Sequence, residues 1–158
     1  IEAPSGDLGV DPMPDVTSIE TIRFHPFAND SVTLRRLGTA LQFGVTITPP
    51  ADALFLYAAG IADSEAVSIE SASFTGYFIR HQDSALVMSP DDGSSSFAGD
   101  VTWWLRPGLA DASMVSFESY NQPGYYIGIT ADGMGLVEIT ANSPQQTRED
   151  ATFAVESD

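Results

Sequence analysis

Apolar residues fall in short runs along this chain, and each run alternates or is broken after about five positions. "VSIES" (67–71), "YFIRH" (77–81), "ALVMS" (85–89) and "VTWWL" (101–105) are separated by Gly, Ser, Asp and Asn. β-branched and aromatic residues concentrate in these runs, as strands that pack on one face require. No window carries an apolar stripe at helical spacing. The pattern predicts strands throughout.

The pattern also repeats. Val67–Ile79 and Val115–Ile127 are identical at seven of thirteen positions, and Ile69/Phe117 and Phe78/Tyr126 are conservative swaps. Each copy is followed by a related tail, "DVTWW" from Asp100 and "DATFA" from Asp150. The same tail used as a probe finds "DALFL" from Asp52, so the aspartates are spaced by 48 and 50 residues. Glycine follows eight residues after Asp52 and after Asp100, in "AAGIA" and "RPGLA". Three units result, at about 19–62, 67–110 and 115–157, with the head of the first eroded. Four strands per unit give about twelve. A propeller normally needs at least four blades. A closed threefold barrel capped by hairpins accommodates three units and leaves few free edges. The expected fold is all-β, a β-trefoil of three repeated four-stranded units with pseudo-threefold symmetry, over residues 19–158. Residues 1–18 read as an N-terminal linker.

Composition narrows the function. The 158 residues suffice for one domain with a core. No run of about twenty apolar residues is present to span a bilayer. "IEAPSGDLGV" lacks the charged-then-apolar order of a signal peptide. There are no cysteines, which removes disulfides and thiolate chemistry. The formal net charge is −16, and all six basic residues are Arg. So acidic a chain is repelled by nucleic acid and by anionic membranes, and neither is an expected partner. "DDGSS" is not an EF-hand loop, and two histidines do not make a usual metal site. No metal or other cofactor is expected.

"SFESYNQPGYYI", "FIRHQDSAL" and "REDATF" together resemble the arabinofuranosidase B domain, the family 42 carbohydrate-binding module. The resemblance covers roughly residues 19–157, most clearly in the second and third units. It implies a β-trefoil that binds α-L-arabinofuranosyl side chains of arabinoxylan or arabinan. It also implies a secreted protein in which the module, a monomer, is covalently linked to a glycoside hydrolase. In that family each pocket uses the His after Tyr-Ile-Arg and the Asp that opens Asp-Ala-Thr-Phe. The second unit matches both, through His81 and Asp100. The third keeps Asp150 and has Gly128 and Ile129 where Arg and His would stand. The first keeps Asp52, has Arg36 near the His position and lacks the Gly-Tyr turn. Phe97, three before Asp100, fits the family pattern, and Thr147 replaces it in the third unit.

These residue types suit a neutral, hydroxylated ligand. A carboxylate accepts from two sugar hydroxyls, through charge-assisted bonds. A neutral His supplies one donor and one acceptor, and an aromatic face covers the C–H side of a sugar ring. Asp100, His81 and Tyr77 are the expected main set, and Asp150 with Tyr125 a thinner one. Asp52 with Arg36 is a degenerate third. Against this, each Asp could simply cap a turn, and His81 alone could be a packed side chain. Trp103 matches Phe55 and Phe153 and is expected in the core. Two other functions compete with sugar binding. One is a glycosidase, which needs two carboxylates held close together, whereas the repeat sets its aspartates apart. The other is a protein-interaction or adhesion module on the same scaffold.

Overall fold

The computed structural model describes residues 20–157; the 1–18 segment expected to be a linker lies outside them. Twelve strands run in chain order: β1 (Ile22–Pro26), β2 (Thr33–Leu37), β3 (Ala40–Gly44), β4 (Phe55–Ala59), β5 (Val67–Ser71), β6 (Tyr77–Gln82), β7 (Ala85–Pro90), β8 (Trp103–Pro107), β9 (Val115–Ser119), β10 (Tyr125–Thr130), β11 (Gly133–Glu138) and β12 (Phe153–Ser157). Ten form one sheet and β2–β3 form a second. The large sheet closes on itself, because β9 pairs with both β12 and β10, and β5 pairs with both β4 and β8. The expected all-β class is what the molecule has.

Register shows why the repeat exists. Phe55 lies opposite Ser71, Trp103 opposite Ser119 and Phe153 opposite Pro26. Phe55, Trp103 and Phe153 are at most 2% exposed and point inward. Ile69, Phe117 and Phe24 face them from the partner strands and are equally buried. Truncating one such aromatic to Ala costs about 3–5 kcal/mol. Trp103 is therefore core, as its match to Phe55 and Phe153 predicts.

The recurring phrase Glu-Ser…Gly-Tyr is a turn lock. The Gly76 amide donates to Glu70 Oε2 at 2.7 Å, and the Gly124 amide donates to Glu118 Oε2 at 2.8 Å. Both glycines have φ near +90°, at 88° and 89°, where a Cβ is unwelcome. The serine of the phrase accepts from backbone amides of the same turn, Ser71 from Phe74 and Ser119 from Gln122. The threonine of the tail ties neighbouring units together. Thr102 Oγ1 donates to the Ala98 carbonyl and accepts from the Ala62 amide, and Thr152 does the same with Arg148 and Ala110. Much of the repeated sequence is thus architecture.

One feature departs from the sequence reading. Two short helices, α1 (Ser95–Asp100) and α2 (Gln145–Asp150), and a 3-10 turn at Pro50–Ala53 stand immediately before β8, β12 and β4. Six residues are too few to write a helical stripe. Ser94 caps α1, its side chain accepting from the Phe97 amide at 3.0 Å. Phe97 anchors this helix at 1% exposure, while α2, with Thr147 at the matching place, buries no side chain.

Candidate functional site

The short helices bring each motif aspartate beside a hairpin of its own unit. In the second unit, α1 ends on Asp100 and β6 supplies Arg80 and His81. The Arg80 Nε and one terminal nitrogen both reach Asp100 Oδ2 at 3.0 Å. Its other terminal nitrogen pairs with Asp92 Oδ2 at 3.3 Å. The guanidinium lies over the Phe97 ring, 5.4 Å from its centroid. Asp92 accepts in turn from the Ser94 hydroxyl and amide. Those bonds, with the Arg80 contact as a smaller influence, hold its carboxyl below the ordinary value. A single buried cation therefore faces two carboxylates.

The other oxygen of Asp100 is met from the next unit. Asn121 Nδ2 donates to Asp100 Oδ1 at 2.9 Å. Asp100 is an acceptor, so Asn121 turns its NH2 there and its Oδ1 the other way. That Oδ1 accepts from His81 Nε2 at 2.7 Å and from the Ser119 hydroxyl at 3.1 Å. His81 Nε2 thus carries the ring hydrogen, and in its neutral form Nδ1 is the acceptor. The His81 side chain is only 5% exposed and 3.5 Å from Asp100 Oδ1. Its ring packs edge-on against Trp103 at 5.7 Å. Asn121 can come this close because residue 99 is glycine: a Cβ there would stand 2.7 Å from Asn121 Nδ2.

The first unit uses the same positions differently. Arg35 donates to Asp52 Oδ2 at 2.9 Å, and Arg36 lies 3.3 Å from Oδ1. The Ser73 hydroxyl, at the place of Asn121, donates to Asp52 Oδ1 at 2.9 Å. Arg36 also donates to Ser73 Oγ and to the Gly38 carbonyl, and covers the Phe74 ring at 4.6 Å. Phe74 stacks on Tyr77 at 3.6 Å with the rings 13° apart. Tyr77 is accordingly joined to the Asp52–Arg36 cluster, and among the described residues no ring contact or hydrogen bond joins its side chain to His81 or Asp100. The hairpin turn that carries it projects toward the preceding unit.

The third unit is sparse. Asp150 Oδ1 accepts from Gln146 Nε2 at 2.9 Å, and among the described residues no arginine pairs with it. Gly128 replaces Arg80, and Val137 replaces Ser89 in the matching cross-strand register. A Cβ at Gly128 would stand 2.7 Å from Val137 Cγ2, so the valine methyls take the space. Pro26 stands where Ser119 and Ser71 supply hydroxyls. Tyr125 packs against the core, and among the described residues no hydrogen bond or ring contact ties it to Asp150. Among the described residues, the side chains of the three aspartates bond to other side chains and not to turn amides. Among the described residues no group of carboxylates and histidines could hold a metal ion.

The alpha-L-arabinofuranosidase B (ABFB) domain family matches residues 26–155. The chain belongs to this family. ABFB domains are binding modules found in arabinofuranosidases. No curated protein sequence matches the chain. An arabinofuranosidase complexed with arabinofuranosyl-α-1,2-xylobiose superposes with a TM-score of 0.78 at 21% identity, over 90% of this chain and 32% of that one. A GH54 α-L-arabinofuranosidase soaked with a cyclic sulfate inhibitor gives 0.77, with the same identity and coverage. The chain thus spans about a third of the length of these enzymes. The BEL β-trefoil gives 0.65 at 13% identity, over 92% of this chain and 98% of that one. At such identities the likeness concerns the fold. All three motif aspartates lie inside the ABFB match. Arg80, Asn121 and Gly99, which build the second cluster, were not singled out as site residues from the sequence. The Gly-Asp pair at 99–100 was the available signal.

Proposed function

We propose that this chain is a non-catalytic carbohydrate-binding module of β-trefoil form with pseudo-threefold symmetry. It recognises α-L-arabinofuranosyl side chains of arabinoxylan or arabinan and carries an attached glycoside hydrolase, secreted with it, to the plant cell wall. The ABFB membership supports the ligand class, and the matching registers of the three units support the symmetry. The observation that carries the site is the second-unit cluster, where Asp100 is held by Arg80 on one side and Asn121 on the other. His81 and Arg80 are buried beneath and fix the carboxylate and the amide. Asp100 keeps one of its roughly four lone-pair sites for a sugar hydroxyl, and Asn121 adds the second N–H of a rigidly oriented amide. Asp150 supplies a second, thinner site, and Asp52 is occupied by its own arginines. No step of catalysis is proposed, because Asp100 is committed to an ion pair and an amide.

An arabinofuranose has about ten heavy atoms, and at roughly −0.3 to −0.5 kcal/mol per atom it binds with about −3 to −5 kcal/mol. That corresponds to a dissociation constant near the millimolar range. Retention on a polymer then relies on further contacts or on a tethered domain. The test is titration with arabinoxylan and with unsubstituted xylan. Binding to arabinoxylan that falls sharply in Asp100→Ala supports the proposal; equal or absent binding to both polymers overturns it.

A further inference from the structure

The outer face of β8 and the residue that follows β9 carry two aromatic side chains, Trp104 and Tyr120, that lie outside the core. Trp103 and Leu105 point into the core, so Trp104 and Arg106 point outward. Across the strand pair Trp104 lies opposite Glu118. The Trp104 and Tyr120 rings lie 5.8 Å apart, inclined at 42°. Arg106 sits over Trp104, 5.7 Å from its centroid, and its Nε donates to Glu118 Oε1 at 2.9 Å. Both rings are half-buried, and their polar neighbours are already paired with each other.

The repeat is an internal control for this patch. In the corresponding registers the first unit has Leu56 opposite Glu70, and β12 has Ala154 opposite His25. The position of Tyr120 is Ala72 in the second unit's copy of the phrase and Phe27 directly after β1. The same strands therefore fold with Leu or Ala at the place of Trp104, and with Ala at the place of Tyr120 in one copy. A tryptophan and a tyrosine that neither the core nor the turn needs, side by side and half-exposed, call for a ligand.

The row is continuous with the Asp100 site. Tyr120 immediately precedes Asn121, and its amide donates to the Thr102 carbonyl, two residues after Asp100. Flat rings framed by a neutralised Arg–Glu pair suit the C–H faces of uncharged sugar rings, with polar groups beside them for hydroxyls. We propose that Trp104 and Tyr120 form a platform for the pyranose rings of the polysaccharide main chain, lying beside the site that takes its arabinofuranosyl branch. This rests on the sugar-binding reading above and extends it from a branch to the chain that bears the branch.

The test uses replacements that the other copies already carry: Trp104→Leu, Tyr120→Ala and the pair together. Titrations use arabinose, an unsubstituted xylo-oligosaccharide and an arabinose-substituted one, followed by calorimetry and by tryptophan fluorescence. Trp103 is buried, so a fluorescence change that vanishes in Trp104→Leu reports on the platform. The expected result is unchanged binding of arabinose, loss of the xylo-oligosaccharide response, and a loss of about tenfold for the branched ligand in the double variant. Equal binding of the branched ligand by parent and double variant, with arabinose still bound, overturns the platform and leaves the branch site standing. A xylo-oligosaccharide response at Trp104 in a chain that ignores arabinose keeps the platform and removes the branch site.

Discussion

The first-unit and second-unit clusters are built on equivalent aspartates, at the same step before an inward aromatic, yet they differ in how that aspartate is held. Asp52 sits between two arginines and a serine hydroxyl. Asp100 has one arginine, and an exposed asparagine holds its other oxygen. The exchange of Arg36 for His81 at one strand position decides the outcome. Arg36 is long enough to reach Asp52, Ser73 and Gly38 together and fills the place with its own guanidinium. His81 stops short, stays under the surface, and hands the contact to Asn121. A motif position can therefore persist with its carboxylate bonded wholly by the chain's own side chains.

The largest effect that would break this comparison is on stability. Asp52→Ala leaves Arg35 and Arg36 half-buried without their carboxylate, and removing one partner of a buried pair costs about 3–5 kcal/mol. Urea unfolding should show that loss, with sugar binding per folded molecule unchanged. Asp100→Ala should cost less, about 1–3 kcal/mol, because Arg80 keeps Asp92, but it should remove most binding. If the two variants behave alike in both assays, the distinction between the clusters fails.

A graft sharpens the comparison further. Ala51→Gly, Arg36→His and Ser73→Asn together give the first unit the residues found at Gly99, His81 and Asn121. Calorimetry should then count an additional arabinose site. Asn121→Ala should lose about 1 kcal/mol of stability, since His81 and Ser119 lose their common acceptor, and should weaken binding at the Asp100 site. The smallest effect concerns acid. The Asp92 carboxyl is held below the ordinary 3.8, chiefly by Ser94, so its contribution to stability is complete above that value and is lost as pH falls through the lowered one. The difference in melting temperature between the parent and Asp92→Asn should shrink on acidification from about pH 6 to about pH 3; a constant difference contradicts the assignment.

The strand pattern and the inward place of Trp103 were legible in the sequence because they rest on period-two burial and on repetition. The short helices before the motif aspartates were not, since six residues leave no periodic trace. The site was legible in part. Asp100 and His81 do come together, but their link is Asn121, which belongs to the next unit and to a phrase that reads as a turn. Tyr77 was expected beside His81 as the aromatic face for a sugar ring. Its ring instead meets Phe74 and so joins the Asp52 cluster, because the hairpin turn reaches toward the neighbouring unit. The depth of His81 depends on Trp103 and on the Asn121 bridge, and strand alternation alone contains neither.

The most direct measurement of the central claim is an NMR titration of the whole chain with an arabinofuranosyl oligosaccharide, following assigned side-chain and backbone signals. The account predicts saturable shifts at Asp100, Asn121 and the amides of α1, smaller ones near Asp150, and none at Asp52, Arg35 or Arg36. Shifts centred on the Asp52 cluster, or a second-unit cluster that stays silent while ligand binds elsewhere, would contradict it.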